Sequence, residues 1–475
     1  MPGDTGYRPL VKLLATLGPA TSRDIVAAMA REGACGFRVN MSHGGPEDWA
    51  RYARMHSHAE ERAGRPLALI ADLMGARARL GLFEAVMVKP GSMVRLGRDG
   101  LPVEGEWVFE AAAPGDRILI ADGEVVVRVV EAGDGFIEGE VEAGEVIEPR
   151  KGLAVKGKEP PHVLTSKDKS DLRFAVEHGF SHVMLSYASR ETLQEARKFL
   201  EEYDASHVRL LAKVETRQAV DSIGEIVDAS DGIVVARGDL GMHYNLEEIP
   251  RVQALLVEEA RRRYKPVILA TELLSSMVNK PRPSRSDVVD VFNSVRLGVD
   301  GLLLTNETAV GRYPVEAVSW LRRIVEKALE SYEPPKPEPS GEEYRLARGL
   351  VELVENLEAT LIAYSMTGVF PQRISAFRPR QGYLLGVASK EAARATCILW
   401  GANPLVVGSD SYEDGMWETW KRVKNSIRPP VVLASWSRVI DHYRIHVFFT
   451  TDIDKAMVEA GMRECGDQAG QGGQA

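Results

Sequence analysis

Cysteine is scarce in this chain, which has three among its 475 residues: Cys35, Cys397 and Cys465. They lie too far apart in sequence for a metal-binding motif, and an odd number makes a poor disulfide framework. The chain also lacks any apolar run near the ~18 residues of a membrane span, and its first residues lack the basic-then-apolar order of a signal peptide. We therefore expect a cytoplasmic protein with no membrane partner.

An excess of positive charge is also absent. Asp and Glu total 68 against 59 Lys and Arg, which leaves a formal net charge of -9. This balance argues against nucleic acid as the main partner, although small phosphate ligands need only a few local arginines and lysines. The length predicts roughly three domains of ~150 residues, enough to bury a core without disulfides.

What the chain does have is a repeated design, in which a short apolar run ends at polar residues. The runs cover residues 11–16, 36–37, 67–71, 183–185, 208–212, 233–236, 267–270 and 301–304. Helical patterns separate most of them, for example residues 22–32 and 166–178. Eight such units predict an α/β fold, a (β/α)8 TIM barrel with its site on the C-terminal face.

Two further segments have a different character. Residues 82–150 show short alternating runs punctuated by hairpin turns at Asp122-Gly123 and Asp134-Gly135, which predict a small β-barrel domain inserted in the barrel as a lid. The barrel would then comprise residues 1–81 and 151–332.

Residues 333–341 form a proline-rich linker to a C-terminal α/β domain, residues 342–465, with a predicted parallel-type sheet. Its strands are expected at 359–364, 383–387, 404–407, 431–434 and 445–449. We expect the tail, residues 466–475, to be disordered.

Charged residues gather where two neighbouring barrel strands end. Lys213 and Glu215 are two apart and share a face, and Asp239 follows the next strand between Gly238 and Leu240. Asp239 could simply cap a helical turn, and the three charges could be a salt-bridge network. Alternatively, the two carboxylates hold a Mg²⁺ while Lys213 neutralises charge on what the metal binds.

Basic side chains follow other strands. Arg38 alternates with Asn40 and Ser42 on one strand and is a candidate fork for phosphate, although Asn40 and Ser42 could be turn-forming residues. Arg79 and Lys151 are further candidates. Two carboxylates, a lysine and scattered cations suit phosphoryl transfer, which depends on positioning and charge neutralisation.

Several motifs occur in an order that resembles the pyruvate kinase family, over residues 12 to about 449. They are Ala15-Thr-Leu-Gly-Pro19, Arg38-Val-Asn-Met-Ser-His-Gly44, Asp116-Arg-Ile-Leu-Ile-Ala-Asp-Gly123, Lys213-Val-Glu215, Ala236-Arg-Gly-Asp-Leu-Gly241, Pro266-Val-Ile-Leu-Ala-Thr271, Arg282-Pro-Ser-Arg285 and Asn306-Glu-Thr-Ala-Val-Gly-Arg-Tyr-Pro314. The resemblance implies a cytoplasmic, homotetrameric enzyme of glycolysis that converts phosphoenolpyruvate and ADP into pyruvate and ATP.

The resemblance also implies roles for individual residues. Glu215 and Asp239 would hold Mg²⁺ or Mn²⁺, and Lys213 would contact the transferring phosphoryl group. Thr271 would lie where the enol is protonated, through ordered water. Arg38 would bind the substrate phosphate, and the N–H groups of Gly238 and Asp239 would bind the substrate carboxylate. The nucleotide would be bound by Asn40, His43, Arg79 and Lys151.

Two places depart from the family pattern. The potassium pocket would comprise Asn40, Ser42, Asp72 and residue 73, but Leu73 replaces a threonine there and Arg77 replaces a glutamate. We therefore predict that K⁺ is not required.

The loop of residues 365–370 carries Met366 and Phe370 where sugar-phosphate-activated members have lysine and more hydroxyls. Activation by fructose bisphosphate is predicted to be weak or absent.

Two other functions compete. A metal-dependent aldolase or lyase acting on pyruvate-like substrates would also use a barrel and Mg²⁺, but it has no use for ADP, Lys151 or a nucleotide-covering domain. A non-catalytic binding protein would be free to lose Lys213, Glu215 or Asp239, and all three are present.

Overall fold

The computed structural model describes residues 9–437 and 442–449, so the predicted disordered tail and Cys465 lie outside the described residues. The strands are β1 (Lys12–Leu17), β2 (Ala34–Asn40), β3 (Ala68–Asp72), β4 (Ala78–Leu80), β5 (Val86–Met87), β6 (Met93–Gly97), β7 (Val103–Glu104), β8 (Arg117–Ile120), β9 (Val125–Gly133), β10 (Phe136–Ala143), β11 (Val146–Ile147), β12 (Gly152–Val155), β13 (His182–Leu185), β14 (Arg209–Val214), β15 (Gly232–Ala236), β16 (Val267–Ala270), β17 (Gly301–Leu304), β18 (Thr360–Ser365), β19 (Tyr383–Val387), β20 (Ala402–Val406), β21 (Val431–Ser437) and β22 (His442–Phe448). The helices are α1 (Arg23–Arg31), α2 (Pro46–Ala63), α3 (Trp107–Ala111), α4 (Ser166–Glu177), α5 (Arg190–Glu202), α6 (Arg217–Asp221), α7 (Ile223–Ala229), α8 (Arg237–Leu240), α9 (Ile249–Arg262), α10 (Arg285–Leu297), α11 (Asn306–Ala309), α12 (Pro314–Ser331), α13 (Glu342–Asn356), α14 (Val369–Ala376), α15 (Lys390–Thr396) and α16 (Tyr412–Val423).

Eight parallel strands close into a barrel in the order β1, β2, β3, β13, β14, β15, β16 and β17. Each predicted apolar run coincides with one of them, so the predicted TIM barrel is confirmed. β15 and β16 are buried at every position, because barrel strands are covered by helices outside and by packed side chains inside. The helix predicted to begin after Ser22 does so, since the Ser22 hydroxyl accepts the backbone N–H of Ile25.

The segment between β3 and β13 forms a separate antiparallel sheet, ordered β6, β10, β9, β8, β12, β4, β7. The turn Asp134-Gly135 joins β9 to β10, and Gly135 has a φ of 77°, which glycine adopts without strain. The two connections to the barrel run side by side, because Arg79 of β4 pairs with Gly152 of β12. This domain therefore hangs from the carboxyl end of β3, over the barrel mouth.

The C-terminal sheet has the order β20, β19, β18, β21, β22. Its first four strands are parallel, as predicted, but β22 runs antiparallel to β21, so the parallel-type prediction was wrong for the last strand. Four residues, 438–441, separate these two strands in sequence. A parallel crossover needs a dozen or more residues, so only an antiparallel return fits.

Buried ion pairs attach this domain to the barrel. Arg378 is 2% exposed and donates to the carbonyl of Gly298 and to Asp300 Oδ2, at 2.7 and 2.9 Å. Arg394 of α15 pairs with Glu60 of α2. Within the two described ranges, no helix combines the length and apolarity needed to cross a membrane.

Candidate active site

A cleft of about 590 Å³ lies at the carboxyl ends of the barrel strands. Residues 121, 124, 150, 151 and 152 of the inserted domain and its second connection line one side of it. The predicted site residues that line the cleft are Arg38, Asn40, Ser42, His43, Asp72, Arg77, Arg79, Lys151, Lys213, Glu215, Gly238, Asp239 and Thr271. The fold thus gathers residues that are more than 200 positions apart in sequence.

Lys213 forms the centre of the cleft. Its ammonium lies 2.7 Å from Glu215 Oε1 and 3.3 Å from Asp72 Oδ1, and it donates to Ser186 Oγ at 2.8 Å. Burial favours the neutral amine, but the carboxylates of Asp72 and Glu215 outweigh it and raise the pKa of Lys213 above its ordinary value. Lys213 is therefore a permanent cation at neutral pH, suited to stabilising negative charge.

Arg38 lies on the other side of Asp72. Its Nε donates to Asp72 Oδ2 at 2.6 Å, and its Nη1 donates to the Thr16 hydroxyl at 3.1 Å. Asp72, which is 2% exposed, thus orients both Arg38 and Lys213. A guanidinium held in this way presents its remaining N–H groups in a fixed direction, which favours binding of a planar or tetrahedral anion.

Glu215 and Asp239 form a pair of carboxylates, of which Glu215 is buried and Asp239 partly buried. Glu215 Oε2 accepts the backbone N–H of Tyr187 at 2.8 Å, and Asp239 Oδ1 lies 3.3 Å from Arg77 Nη1. Burial, together with the negative charge of Asp239, raises the pKa of Glu215 despite the nearby Lys213. The negative charge of Asp239 thus disfavours ionisation of Glu215, and a divalent cation shared by the two carboxylates would offset this effect.

The carboxylate oxygens of Glu215 and Asp239 are ligands suited to a hard cation. Among the described residues no group of three or more His, Cys, Asp or Glu side chains could hold a metal ion. The protein would therefore supply two carboxylates, and substrate oxygens and water the remaining ligands. Mg²⁺ is commonly bound this way, and Mn²⁺ also suits oxygen ligands, so the residues fit.

Thr271 follows β16 and faces the same cleft. Its Oγ1 accepts the backbone N–H of Gly238 at 2.9 Å. Thr271 and Glu272 have φ values of 69° and 54°, and Tyr187 has 52°. Left-handed backbone is costly for residues with a Cβ, and such strain often marks functional sites.

The predicted nucleotide residues lie around a strongly cationic rim. Arg79 donates to the carbonyl of Ser42 at 2.8 Å, which holds its guanidinium beside the Asn40–His43 loop. Loss of hydration in the cleft and the positive charges of Arg79 and Arg38 lower the pKa of His43 to about 4. Lys151, on the inserted domain's side, pairs with Glu148 at 2.8 Å. This rim would attract phosphate groups.

The predicted potassium-pocket residues already have partners. Asn40 Oδ1 accepts the backbone N–H of Ser42, and the carbonyl of Leu73 accepts the Ser186 hydroxyl at 2.8 Å. The side chain of Leu73 is 2% exposed and packs in the barrel core, so the structure does not bring it into the cleft. Arg77 does reach the cleft, beside Asp239.

Several residues that shape the site received no role from the sequence. Thr16, Ser186 and Tyr187 hold Arg38, Lys213 and Glu215 respectively. Their positions just inside or after strand ends were a usable signal. Their partners could not be predicted, because each hydrogen bond crosses between two neighbouring barrel strands and depends on how their ends are aligned.

The loop of residues 365–370, through which activation by fructose bisphosphate is predicted to be weak or absent, lies in the C-terminal domain, away from the cleft. The Ser365 hydroxyl accepts the backbone N–H of Gly368, and Phe370 is 1% exposed. Arg209, at the start of β14, donates to the carbonyl of Thr367 at 2.8 Å. The weak response to fructose bisphosphate stays a prediction.

Comparison with known proteins gives consistent similarities. Residues 9–318 match the family model described as "Pyruvate kinase, barrel domain". The pyruvate kinase of Aeropyrum pernix is 43% identical over 450 residues, which are 92% of this chain and 98% of that protein. The pyruvate kinase of Pyrobaculum aerophilum is 35% identical over 421 residues, 86% of this chain and 91% of that protein. A crystal structure of pyruvate kinase from Pyrobaculum aerophilum aligns with a TM-score of 0.82 at 33% identity, covering 93% of this chain and 100% of that one.

Proposed function

The chain belongs to the pyruvate kinase family, and from this premise we propose how its own residues transfer a phosphoryl group from phosphoenolpyruvate to ADP. The observation that supports the proposal most is the partly buried Lys213, which lies with Asp72, Glu215 and Arg38 in one cleft. Phosphoryl transfer needs preorganised positive charge more than covalent catalysis, and this cluster provides it.

Glu215 and Asp239 hold the divalent cation that the family uses. When bound, that cation would neutralise negative charge on the reacting groups. Lys213 stabilises the charge that develops as the phosphoryl group leaves, and Arg38 binds the phosphate. Glu215 comes directly after β14, and Asp239 lies in α8, which begins directly after β15. The two strands are adjacent in the barrel, so the barrel brings the two carboxylates together.

The substrate carboxylate binds at the backbone N–H groups of Gly238 and Asp239. Thr271 lies beside them and directs the proton, through an ordered water, to the methylene carbon of the enol. The Gly238 N–H donates to the Thr271 hydroxyl at 2.9 Å, which supports a substrate site beside Thr271. A bound carboxylate would take over this N–H from the hydroxyl.

ADP binds across the cationic rim. Arg79, Asn40 and His43 contribute from the barrel, and Lys151 contributes from the inserted domain when that domain closes. His43 is neutral at physiological pH, since its pKa is lowered to about 4. It can therefore accept or donate a hydrogen bond without adding to the positive charge.

Turnover does not require K⁺. Arg77 supplies a fixed positive charge beside Asp239, and two unit charges ~4 Å apart repel by ~4 kcal/mol at an effective dielectric of ~20. Leu73 supports the same conclusion, because its side chain packs in the core and adds no oxygen ligand to the cleft.

Activity measured in buffer free of K⁺ and Na⁺ tests whether turnover requires K⁺, and we expect full activity there. Tetramethylammonium chloride at matched ionic strength is the control. A several-fold activation by KCl over that control would refute it.

The reaction itself is tested by coupled measurement of pyruvate release with Mg²⁺, with and without ADP. Release that requires ADP supports the kinase, whereas release without ADP would indicate a lyase acting on a pyruvate-like substrate.

The functional form is a homotetramer. Large apolar side chains on the barrel surface support self-association, since Leu246, Val289 and Val310 are 80%, 59% and 54% exposed. The mass in solution, from sedimentation, decides this.

A further inference from the structure

Arg237 is a buried arginine with no role in the proposed reaction. It follows β15 directly and is 8% exposed. Its Nε and Nη2 donate to the carbonyl of Thr271 at 3.2 and 2.7 Å, and Nη2 also donates to the carbonyl of Glu272 at 2.8 Å. Its Nη1 pairs with Asp290 of α10 at 2.7 Å. One guanidinium thus joins the ends of β15 and β16 to α10.

The two carbonyls that Arg237 binds belong to the strained residues of the site. Thr271 and Glu272 are consecutive, and both have left-handed backbone, with φ values of 69° and 54°. This conformation is a marked outlier for a β-branched residue such as Thr271. It persists only where the surroundings stabilise it, and charge-assisted hydrogen bonds to both carbonyls do so.

Thr271 is therefore held from two sides by neighbouring residues. The side chain of Arg237 binds its carbonyl, and the backbone N–H of the next residue, Gly238, binds its hydroxyl at 2.9 Å. The direction of the hydroxyl depends on the backbone conformation that Arg237 stabilises. If the backbone of Thr271 and Glu272 relaxed to ordinary φ values, the Thr271 hydroxyl would lose its hydrogen bond from the Gly238 N–H.

We propose that Arg237 is a positioning residue for proton transfer, acting through Thr271. Its guanidinium keeps the Thr271 hydroxyl directed at the carbon of the enol that becomes the methyl group of pyruvate. The inference rests on the role proposed above for Thr271. Lysine cannot replace the arginine, because a single ammonium does not provide the planar fork that spans two carbonyls and a carboxylate.

A purely structural role would have different consequences. An arginine that only stabilises the fold would lower stability when replaced, without a specific effect on proton transfer. Arg378 offers a matched control for that case. It is also buried, donates to the carbonyls of Gly298 and Ala376 and pairs with Asp300, but it lies at the interface with the C-terminal domain.

The test is a double-mutant cycle on the full-length enzyme, with Arg237→Met, Thr271→Ala and the combined variant. Two rates are measured, namely kcat and the exchange of pyruvate methyl hydrogens with D₂O in the presence of Mg²⁺ and ATP. We expect Arg237→Met to lower exchange at least about tenfold in the wild-type background and about twofold or less in the Thr271→Ala background. Arg378→Met should lower the melting temperature but leave exchange near the wild-type rate.

The other outcomes would reject the role proposed for Arg237 or the role proposed for Thr271. Exchange within about twofold of wild type in Arg237→Met, or an undiminished loss in the Thr271→Ala background, would overturn the positioning role. A wild-type rate in Thr271→Ala alone would instead reject the role proposed for Thr271. If Arg237→Met fails to fold, Arg237→Lys takes its place in the same cycle with the same two criteria.

Discussion

At the scale of single residues, the environment of a side chain determines what it can do. Lys213 and Lys12 are both lysines on barrel strands, yet Lys213 meets two carboxylates while Lys12 donates to the carbonyl of Ala402 at 2.7 Å. The first belongs to the cleft and the second to the interface with the C-terminal domain. Their substitution should therefore have opposite effects on turnover and stability.

Lys213→Met removes the charge and keeps most of the side-chain length. We expect turnover to fall by ~10²–10³, or ~3–4 kcal/mol, because a preorganised cation is lost from the transition state. The Mg²⁺ concentration for half-maximal activity should change much less, since Glu215 and Asp239 remain. Steady-state assays over a Mg²⁺ titration measure both quantities.

Lys12→Met is the matched control for that substitution. It should lower the melting temperature while leaving turnover within about twofold, since Lys12 lies at the other end of the barrel. Near-wild-type turnover in Lys213→Met would remove Lys213 from the reaction.

Arg77→Glu should create a dependence on K⁺. The substitution replaces the fixed positive charge beside Asp239 by a carboxylate, which a monovalent cation would balance. Activation should be partial, because Leu73 still packs in the core and adds no side-chain oxygen. Activity is titrated with KCl against tetramethylammonium chloride, in Arg77→Glu and in wild type. Equal insensitivity of the two enzymes would show that Arg77 does not replace the cation.

At the scale of elements, the contact between α2 and α15 depends on one buried carboxylate. Glu60 is 5% exposed, pairs with Arg394 and Lys390, and accepts the backbone N–H of Leu67 at 3.0 Å. Burial alone would raise its pKa, but the hydrogen bonds from Arg394 outweigh burial and lower the pKa of Glu60 to about 2. The ionised form is therefore favoured by folding.

This pair should make stability depend on pH. We expect Arg394→Met to lower the free energy of unfolding by about 3 kcal/mol at neutral pH, because it leaves the buried carboxylate of Glu60 with the exposed Lys390 as its one remaining cationic partner. In the wild type the contribution is fully present above the ordinary pKa of 4.5 and is lost as the pH falls towards 2. The difference between the two proteins should thus shrink below pH 4.5.

Denaturant unfolding at several pH values measures that difference. Lys327→Met breaks the exposed pair with Glu330 and is the control, for which we expect little change at any pH. A destabilisation by Arg394→Met that stays constant down to acid pH would exclude an electrostatic origin.

At the scale of the whole molecule, the inserted domain is attached by two connections that run side by side in opposite directions, and it should move as a lid. Gly75 and Gly157 have φ values of 65° and 78° and lie in the two connections, where backbone rotation is tolerated. Arg77 packs against Gly152, the residue at which β12 begins, so closure would also affect the charge beside Asp239.

Hydrogen exchange with and without Mg²⁺–ADP tests lid closure. We expect slower exchange at both connections when nucleotide is bound, because closure buries their backbone amides. Peptides from the C-terminal sheet serve as the internal control and should not change. Equal exchange at the connections in both states would contradict closure.

Much of the architecture could be predicted because it depends on local patterns. Apolar runs of two to six residues ending at polar ones identify barrel strands, and each predicted run coincides with a strand. The orientation of β22 could not be predicted from its apolar pattern, which is the same for either direction. It follows from the short connection and from pairing with β21.

The sequence by itself determined the order of the strands, the side chains at their ends and the family to which the chain belongs. It did so because strand periodicity and motif spacing are properties of neighbouring residues. The tertiary structure alone decided that Asp72 holds both Arg38 and Lys213, that Arg77 faces Asp239 and that Arg237 binds the strained carbonyls. These contacts join strand ends that are distant in sequence, and they form only when barrel closure brings the carboxyl ends of the strands together.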